Sequence, residues 1–472
     1  MRDETSRFAA PKSIKLIKTV VYTPQRSESP ASSKSSPTPP PTSSCIVISN
    51  CSPYTECRED SLAKDDNASY TITPLPYAVD QFSTAYFFTS YIVATPFESY
   101  LPKFYATEPI YDDAFSLSVS ATALAAFARR THSPQYEARA RRLYAQALHH
   151  INPQLQKRET AIKDRTLASV LLLGLFEAIV FPGGQSPTGW TAHCDGAMNL
   201  LLLRGEDQFN SPVSLQLFEH ASNNIRTSCI QRWIAIPPKF LALSRKLGKR
   251  LPPTRSTIGV SPLVERIAEV KSECIKNPSF EFLLDAFRLD REIYHFSRSS
   301  LHKLLPYTIT EAEEGVLAYR RTIHKYASPR ATKIWNAVRL VRIFLVHFIY
   351  SGARGQGAVV IDVPDTDEAR AWKVFLEEYA VDNMREISED ILAGMPAFLE
   401  ERDGKTMFIP SARSLAWPLT IIETDDFSPP EAKKFARQVL EKLAMDLNIP
   451  EVVQEGRDPG SKEDWHHLFH LG

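Results

Sequence analysis

Between Asp164 and Val180 the chain places Leu167, Leu171, Leu172, Leu175 and Phe176 so that a helix built from them is apolar on nearly every side. Such a cylinder has no face to offer water and must be wrapped by other elements, so it belongs at the centre of the fold. Asp164 stands where a side chain can cap the helix start, and the Pro/Gly-rich stretch from Phe181 to Gly189 ends it. From Trp190 a second helix aligns Trp190, His193, Ala197, Leu200, Leu201 and Arg204 on one face, with Gly205 placed for a left-handed cap. Gly196 inside that helix costs ~1 kcal/mol in propensity, which a close crossing by a neighbouring helix would justify. Two buried helices on a short loop imply an antiparallel pair.

Helical periodicity dominates the remainder. Ser133-Pro134 reads as a cap and first-turn proline leading into Tyr136 to His150; Thr310 with Glu313, and Ser428 with Pro429 and Glu431, have capping-box spacing. A long helix over Ala331 to Tyr350 carries Trp335, Leu340, Val341, Ile343, Phe344 and Phe348, and Phe435, Val439, Leu440, Leu443 and Leu447 form a later stripe. Trp465 and Phe469 close the chain as a small aromatic cluster. Val359 to Val363 is the best strand candidate and reads as loop or minor strand. No fixed-period repeat is present, which disfavours a regular solenoid. The expected fold class is therefore all-α: an irregular multi-helix body over residues 73–472, entered through the aromatic run Phe82, Tyr86, Phe87, Phe88 and Tyr91. Residues 1–72 are expected to form a disordered arm, because Thr23 to Ser44 is Pro/Ser/Thr-rich and has almost nothing apolar to offset ordering entropy.

Composition narrows the function. Fifty-five basic residues balance 55 acidic ones, so the chain as a whole has no field that draws it to a polyanion. Six cysteines in 472 residues are too few for a disulfide framework and are read as reduced thiols of an intracellular protein. The amino-terminal segment lacks the apolar run of a secretory signal. Ala168 to Val180 and Ala337 to Tyr350 are short of a bilayer span and carry Glu177, or Arg339 and Arg342, so no membrane association is expected.

No motif proposes an enzyme, a cofactor or a metal. His193 and Cys194 are neighbours that point about 100° apart on a helix and read as a core histidine and a buried thiol. His466 and His470 are four apart beside the terminus, as in a frayed amphipathic turn. Gly352, Gly355 and Gly357 lack the strand-turn-helix setting of a dinucleotide site, and Gly183 to Pro187 fails the nucleophile-elbow pattern. Arg204, Arg339 and Arg342 are explained by pairing with carboxylates and helix carbonyls of neighbouring helices, with acids such as Glu177 or Asp195 among the candidate partners.

The segment Asp164 to Gly205, with Leu175-Phe176-Glu177 followed by Trp190, His193, Gly196, Ala197, Leu200, Leu201, Arg204 and Gly205, resembles the centre of the fungus-specific regulatory (middle homology) domain of two-zinc, six-cysteine transcription factors. The resemblance extends from about residue 75 to 455. It takes in Leu143 to Leu155, Cys229 to Phe240, Trp335 and Asn336 with Arg339 and Arg342, Met395-Pro396, and Ala416-Trp417-Pro418-Leu419. It implies an all-helical domain that regulates activation through protein contacts and sometimes answers small molecules. It implies nothing about catalysis.

The chain departs from that family at its amino end. Cys45, Cys51 and Cys57 are spaced too widely for the zinc cluster and lie among Glu56, Glu59 and Asp60, while Lys12, Lys15 and Lys18 supply little phosphate affinity and no base readout. Direct sequence-specific DNA binding is not expected: either a partner supplies it, or an upstream segment is missing. The expected function is a nuclear transcriptional regulator, shared in part with the cytoplasm, controlling a fungal metabolic or secondary-metabolite pathway. Its expected partners are transcriptional regulatory proteins or a DNA-binding partner, with a small-molecule effector as a further one. The competing reading is a helical ligand sensor or scaffold that has left transcription.

Overall fold

The computed structural model describes residues 76–93, 95–107, 113–180, 188–250, 261–356, 360–361 and 363–447, all in one folded unit. The expectations on residues 1–72 and on the tail around Trp465, His466, Phe469 and His470 fall outside the described residues. The first half of the body comprises α1 (Pro76–Tyr86), α2 (Leu101–Thr107), α3 (Ala114–Thr131), α4 (Pro134–Gln156), the single turn α5 (Arg158–Ala161), α6 (Asp164–Val180), α7 (Thr188–Arg204), α8 (Pro212–Gln231) and α9 (Pro238–Arg250). The second half comprises α10 (Ser261–Lys276), α11 (Glu281–Phe296), the hairpin of β1 (Tyr307–Glu311) and β2 (Thr322–Tyr326), α12 (Pro329–Ala353) and α13 (Asp367–Gly394). It ends with a second hairpin, β3 (Leu399–Arg402) and β4 (Lys405–Phe408), then α14 (Ala416–Thr424) and α15 (Pro430–Leu447). The fold is all-α with two short antiparallel hairpins.

Helix α6 holds the central place that its composition demands. Every residue from Thr166 to Val180 except Glu177 is buried, and α3, α4, α7 and α8 surround it. Leu167, Leu172 and Phe176 are wholly withdrawn from water, and each contributes about 1.5–3 kcal/mol relative to an exposed position. Polar groups on its neighbours are spent locally: Thr122 of α3 donates to the Leu172 carbonyl at 3.1 Å, and Arg129 Nε to the Ile179 carbonyl at 2.8 Å.

Helices α6 and α7 are antiparallel. Asp164 meets Arg204 at one end, Gly174 faces Trp190 and His193 further along, and Glu177 lies against Gly189 at the other end. The close approach is at Gly174, where a Cβ would stand 3.4 Å from that of His193; Gly196 is half-buried on α7. The second half is organised by α12, which packs between α11 and α13. By length and composition α12 could cross a membrane, but 61% of its apolar window is buried inside this fold. Near its end a Cβ on Gly352 would meet the Leu283 side chain at 2.4 Å, so the missing side chain is what lets α11 approach.

Three local expectations are corrected. Thr310 caps no helix: it lies in β1 opposite Ile323, because Tyr307, Ile309 and Glu311 alternate with threonines as a strand does. Ser428 is buried and its hydroxyl has no partner, while α15 begins two residues later at Pro430. Asp164 opens α6, but its carboxylate is taken by Arg204 and Ser214 of other elements. By contrast, Ser133 accepts from the Tyr136 N–H as the N-cap of α4, and Gly205 has φ +62° after α7.

Candidate regulatory site

The α7 residues on which the resemblance rests lie on its seam with α6. Trp190, His193, Ala197 and Arg204 are all buried. His193 Nε2 shares a hydrogen bond of 3.0 Å with the Tyr144 hydroxyl of α4, and Tyr144 stacks on Phe176 with ring centroids 4.3 Å apart. His193 Nδ1 is buried without a partner. A ring in that position is held neutral, and burial pulls its pKa from the ordinary 6.5 down to about 4. Burial, and then the charge of Glu177, push the Tyr144 phenol far above its usual range. Cys194 packs with Ala178 and Trp190, and burial raises its thiol, so it is an inert core group.

Arg204 closes the other end of the seam. One guanidinium nitrogen donates to Asp164 and another to the Ile162 carbonyl at 2.9 Å, while Ser214 of α8 donates to the same carboxylate at 2.8 Å. A single acid thus ties α6, α7 and α8 together. Neither candidate acid pairs with Arg204, Arg339 or Arg342: Asp195 pairs with Arg232 at 2.7 Å, and Glu177 sits where a Cβ on Gly189 would collide with it at 2.4 Å. The Arg204 partner lies 40 positions upstream, a separation that local pattern does not reveal.

The α12 residues picked out by the resemblance, Trp335, Asn336, Arg339 and Arg342, form a second group. Trp335 donates its indole N–H to the Leu305 carbonyl at 2.9 Å. Arg339 donates to Asn336 at 3.0 Å and to the Tyr326 hydroxyl at 2.8 Å, and reaches Asp390 of α13 at 3.3 Å. His324 of β2 stands 3.9 Å from the same carboxylate; burial lowers its pKa to about 4, with Asp390 opposing. One turn on, Arg342 grips Asp290 of α11 with bonds of 2.9 and 3.0 Å, and Tyr379 of α13 donates to that acid at 2.6 Å.

Asp290 is fully buried and was not singled out from the sequence. Its signal was there to read: it falls on the same stripe as Leu283, Ala286 and Ile293, where an acid has no place unless a cation meets it. Chemically, both groups are latches. Each carboxylate is engaged by an arginine, Asp164 also by serine and Asp290 also by tyrosine, and among the described residues no three His, Cys, Asp or Glu side chains gather as a metal would need.

The comparisons bear on the first group. Residues 82–235 match the family model of the fungal specific transcription factor domain. That span runs from α1 through α8 and contains the whole α6–α7 seam with Tyr144, His193, Arg204 and Asp164. A fungal specific transcription factor domain points to a transcriptional regulator. No curated protein and no solved structure matches the chain.

Proposed function

We propose that this chain is a nuclear regulator of a fungal metabolic or secondary-metabolite pathway, acting through protein partners that supply the DNA reading. The match of residues 82–235 to the transcription-factor domain carries this reading. Two features support it. Arg204, Arg339 and Arg342 are consumed in interhelical latches with Asp164, Asp390 and Asp290, which suits a body that is held in one shape and recognised by others. The sequence offers no six-thiolate cluster, its three amino-terminal cysteines being spaced too widely to share two zinc ions.

The test is affinity purification of the full chain from its native cells with identification of what accompanies it. Co-purification with a DNA-binding protein or the transcription machinery, and nuclear residence of the tagged chain, are the expected results. Strictly cytosolic residence, or tight selective binding of the purified chain alone to a DNA duplex, would overturn the reading.

A further inference from the structure

The 55 cations and 55 acids of the chain cancel overall, but not everywhere on its surface. Helix α9 carries Lys239, Arg245, Lys246, Lys249 and Arg250 and no acid, a combination that no other described helix matches. All five are exposed. Phe240, Leu243 and Leu247 bury the opposite side, with the Phe240 ring stacked on Phe218 of α8 at 6.3 Å. Arg226 of α8, paired with Glu265 of α10, donates to the Ser244 hydroxyl at 2.7 Å and fixes the helix with its basic side outward.

Packing alone does not call for this arrangement. Glu206, in the turn after α7, accepts from Lys246 at 2.7 Å and from Arg250 at 2.9 Å. Lys239, Arg245 and Lys249 have no acid partner among the described residues. Arg245 and Lys249 stand one turn apart, where like charges weaken a helix. The helix dipole favours Lys249 and Arg250 at the carboxyl end, but it opposes Lys239 in the first turn. At 100° per residue the five cations spread over about 140° of the helix surface. Beyond Lys239 the other exposed positions are Ala242 and Gly248, and a Cβ at Gly248 would meet nothing within 4 Å, so a broad partner can lie close.

We propose that α9 is a phosphate-contact face for duplex DNA, resting on the backbone without reading bases. Charge complementarity and shape name the occupant: cations spread over such an arc suit a line of phosphates rather than one anion. A basic run of this kind in an unfolded segment would read as a nuclear-import address, but here Phe240, Leu243 and Leu247 lock it into a helix. The contact rests on the regulatory reading, in which a partner reads the sequence, and adds that this body touches the duplex beside that partner.

The purified full chain is titrated by fluorescence anisotropy against two labelled duplexes of unrelated sequence, each of about 20 base pairs, over about 20 to 200 mM KCl. Weak binding is expected, equal within about twofold for the two sequences. The slope of log K against log salt should be about −3.6, for about four contacts: five cations less the charge that Glu206 supplies. Arg245→Gln with Lys249→Gln should bring the slope to about −1.8 and lower the low-salt affinity at least about tenfold. The far-ultraviolet circular dichroism should not change, since both side chains are exposed. Arg158→Gln with Lys434→Gln, exposed cations of α5 and α15, should leave the slope as it was. No binding at low salt, or an undiminished slope in the Arg245 and Lys249 variant, overturns the proposal and leaves co-purification of a DNA-binding partner as a separate result. Undiminished duplex binding with loss of nuclear accumulation assigns the face to import instead. A preference of about tenfold for one sequence overturns both this contact and the partner-borne reading.

Discussion

The α6–α7 seam and the α11–α12–α13 seam solve the same problem, a buried arginine, in different ways. In the first, the Asp164 side chain keeps 27% of its surface and serves Arg204 and Ser214 at the end of the helix pair. In the second, Asp290 keeps none and is met by both arms of Arg342 and by Tyr379 in the middle of its helices. An acid at a helix end can fall back on water; one in the interior cannot. The first seam is therefore a fastening, and the second a commitment that the surrounding helices must honour.

Breaking the interior pair tests that difference most severely. Asp290→Ala leaves the Arg342 guanidinium buried with the Asn383 amide oxygen, and should lower unfolding stability in urea by about 3–5 kcal/mol. Replacing both partners, Asp290→Leu with Arg342→Met, should recover most of that loss, since a packed apolar pair needs no counter-charge. Asp164→Ala should cost less, on the order of 2 kcal/mol, because Arg204 retains the Ile162 carbonyl and gains water. Equal losses at the two sites would dissolve the distinction.

Acid sharpens the same comparison through the histidines. His193 and His220 belong to the first half and have no acidic partner; burial alone lowers them to about 4 and about 3. His324 in the second half has Asp390 close by, which offsets part of its burial. Since the folded pKa values lie below the ordinary 6.5, the unfolded chain binds more protons in this interval, and stability falls as pH drops from about 6.5 towards 4. Replacing His193 by Gln should reduce the slope of unfolding free energy against pH by up to ~1.4 kcal/mol per pH unit in that window. An unchanged slope would mean that His193 is already protonated in the native protein.

Much of this was written in the sequence, but unevenly. The apolar girth of α6, the stripe of α7, the long α12 and the Ser133 cap follow from composition and spacing alone, because they depend on neighbours three or four residues apart. The β3–β4 hairpin is equally legible: Asp403-Gly404, with φ +51° and +71°, is the residue pair that a two-residue turn selects. The β1–β2 hairpin gives a weaker signal, since its strands are joined by the longer segment 312–321, where Arg320 and Arg321 as well as Gly315 take positive φ. Pairings such as Asp290 with Arg342, 52 positions apart, are set by how helices stack, and no local pattern carries them. Spacing located Arg204 and Arg342 on their helices and left their partners open.

The smallest effect lies inside the first seam itself. Tyr144→Phe keeps the stack on Phe176 and removes the hydroxyl that meets His193 Nε2 and faces Glu177, leaving both ring nitrogens of a buried imidazole without partners. The expected loss is about 1 kcal/mol, read as a lower urea midpoint with an unchanged slope against denaturant. His193 cannot recover that hydrogen bond from water, because the ring is enclosed by α4, α6 and α7. A loss larger than that of Asp164→Ala would move the fastening point of the seam from its solvent-facing end to the Tyr144–His193 contact.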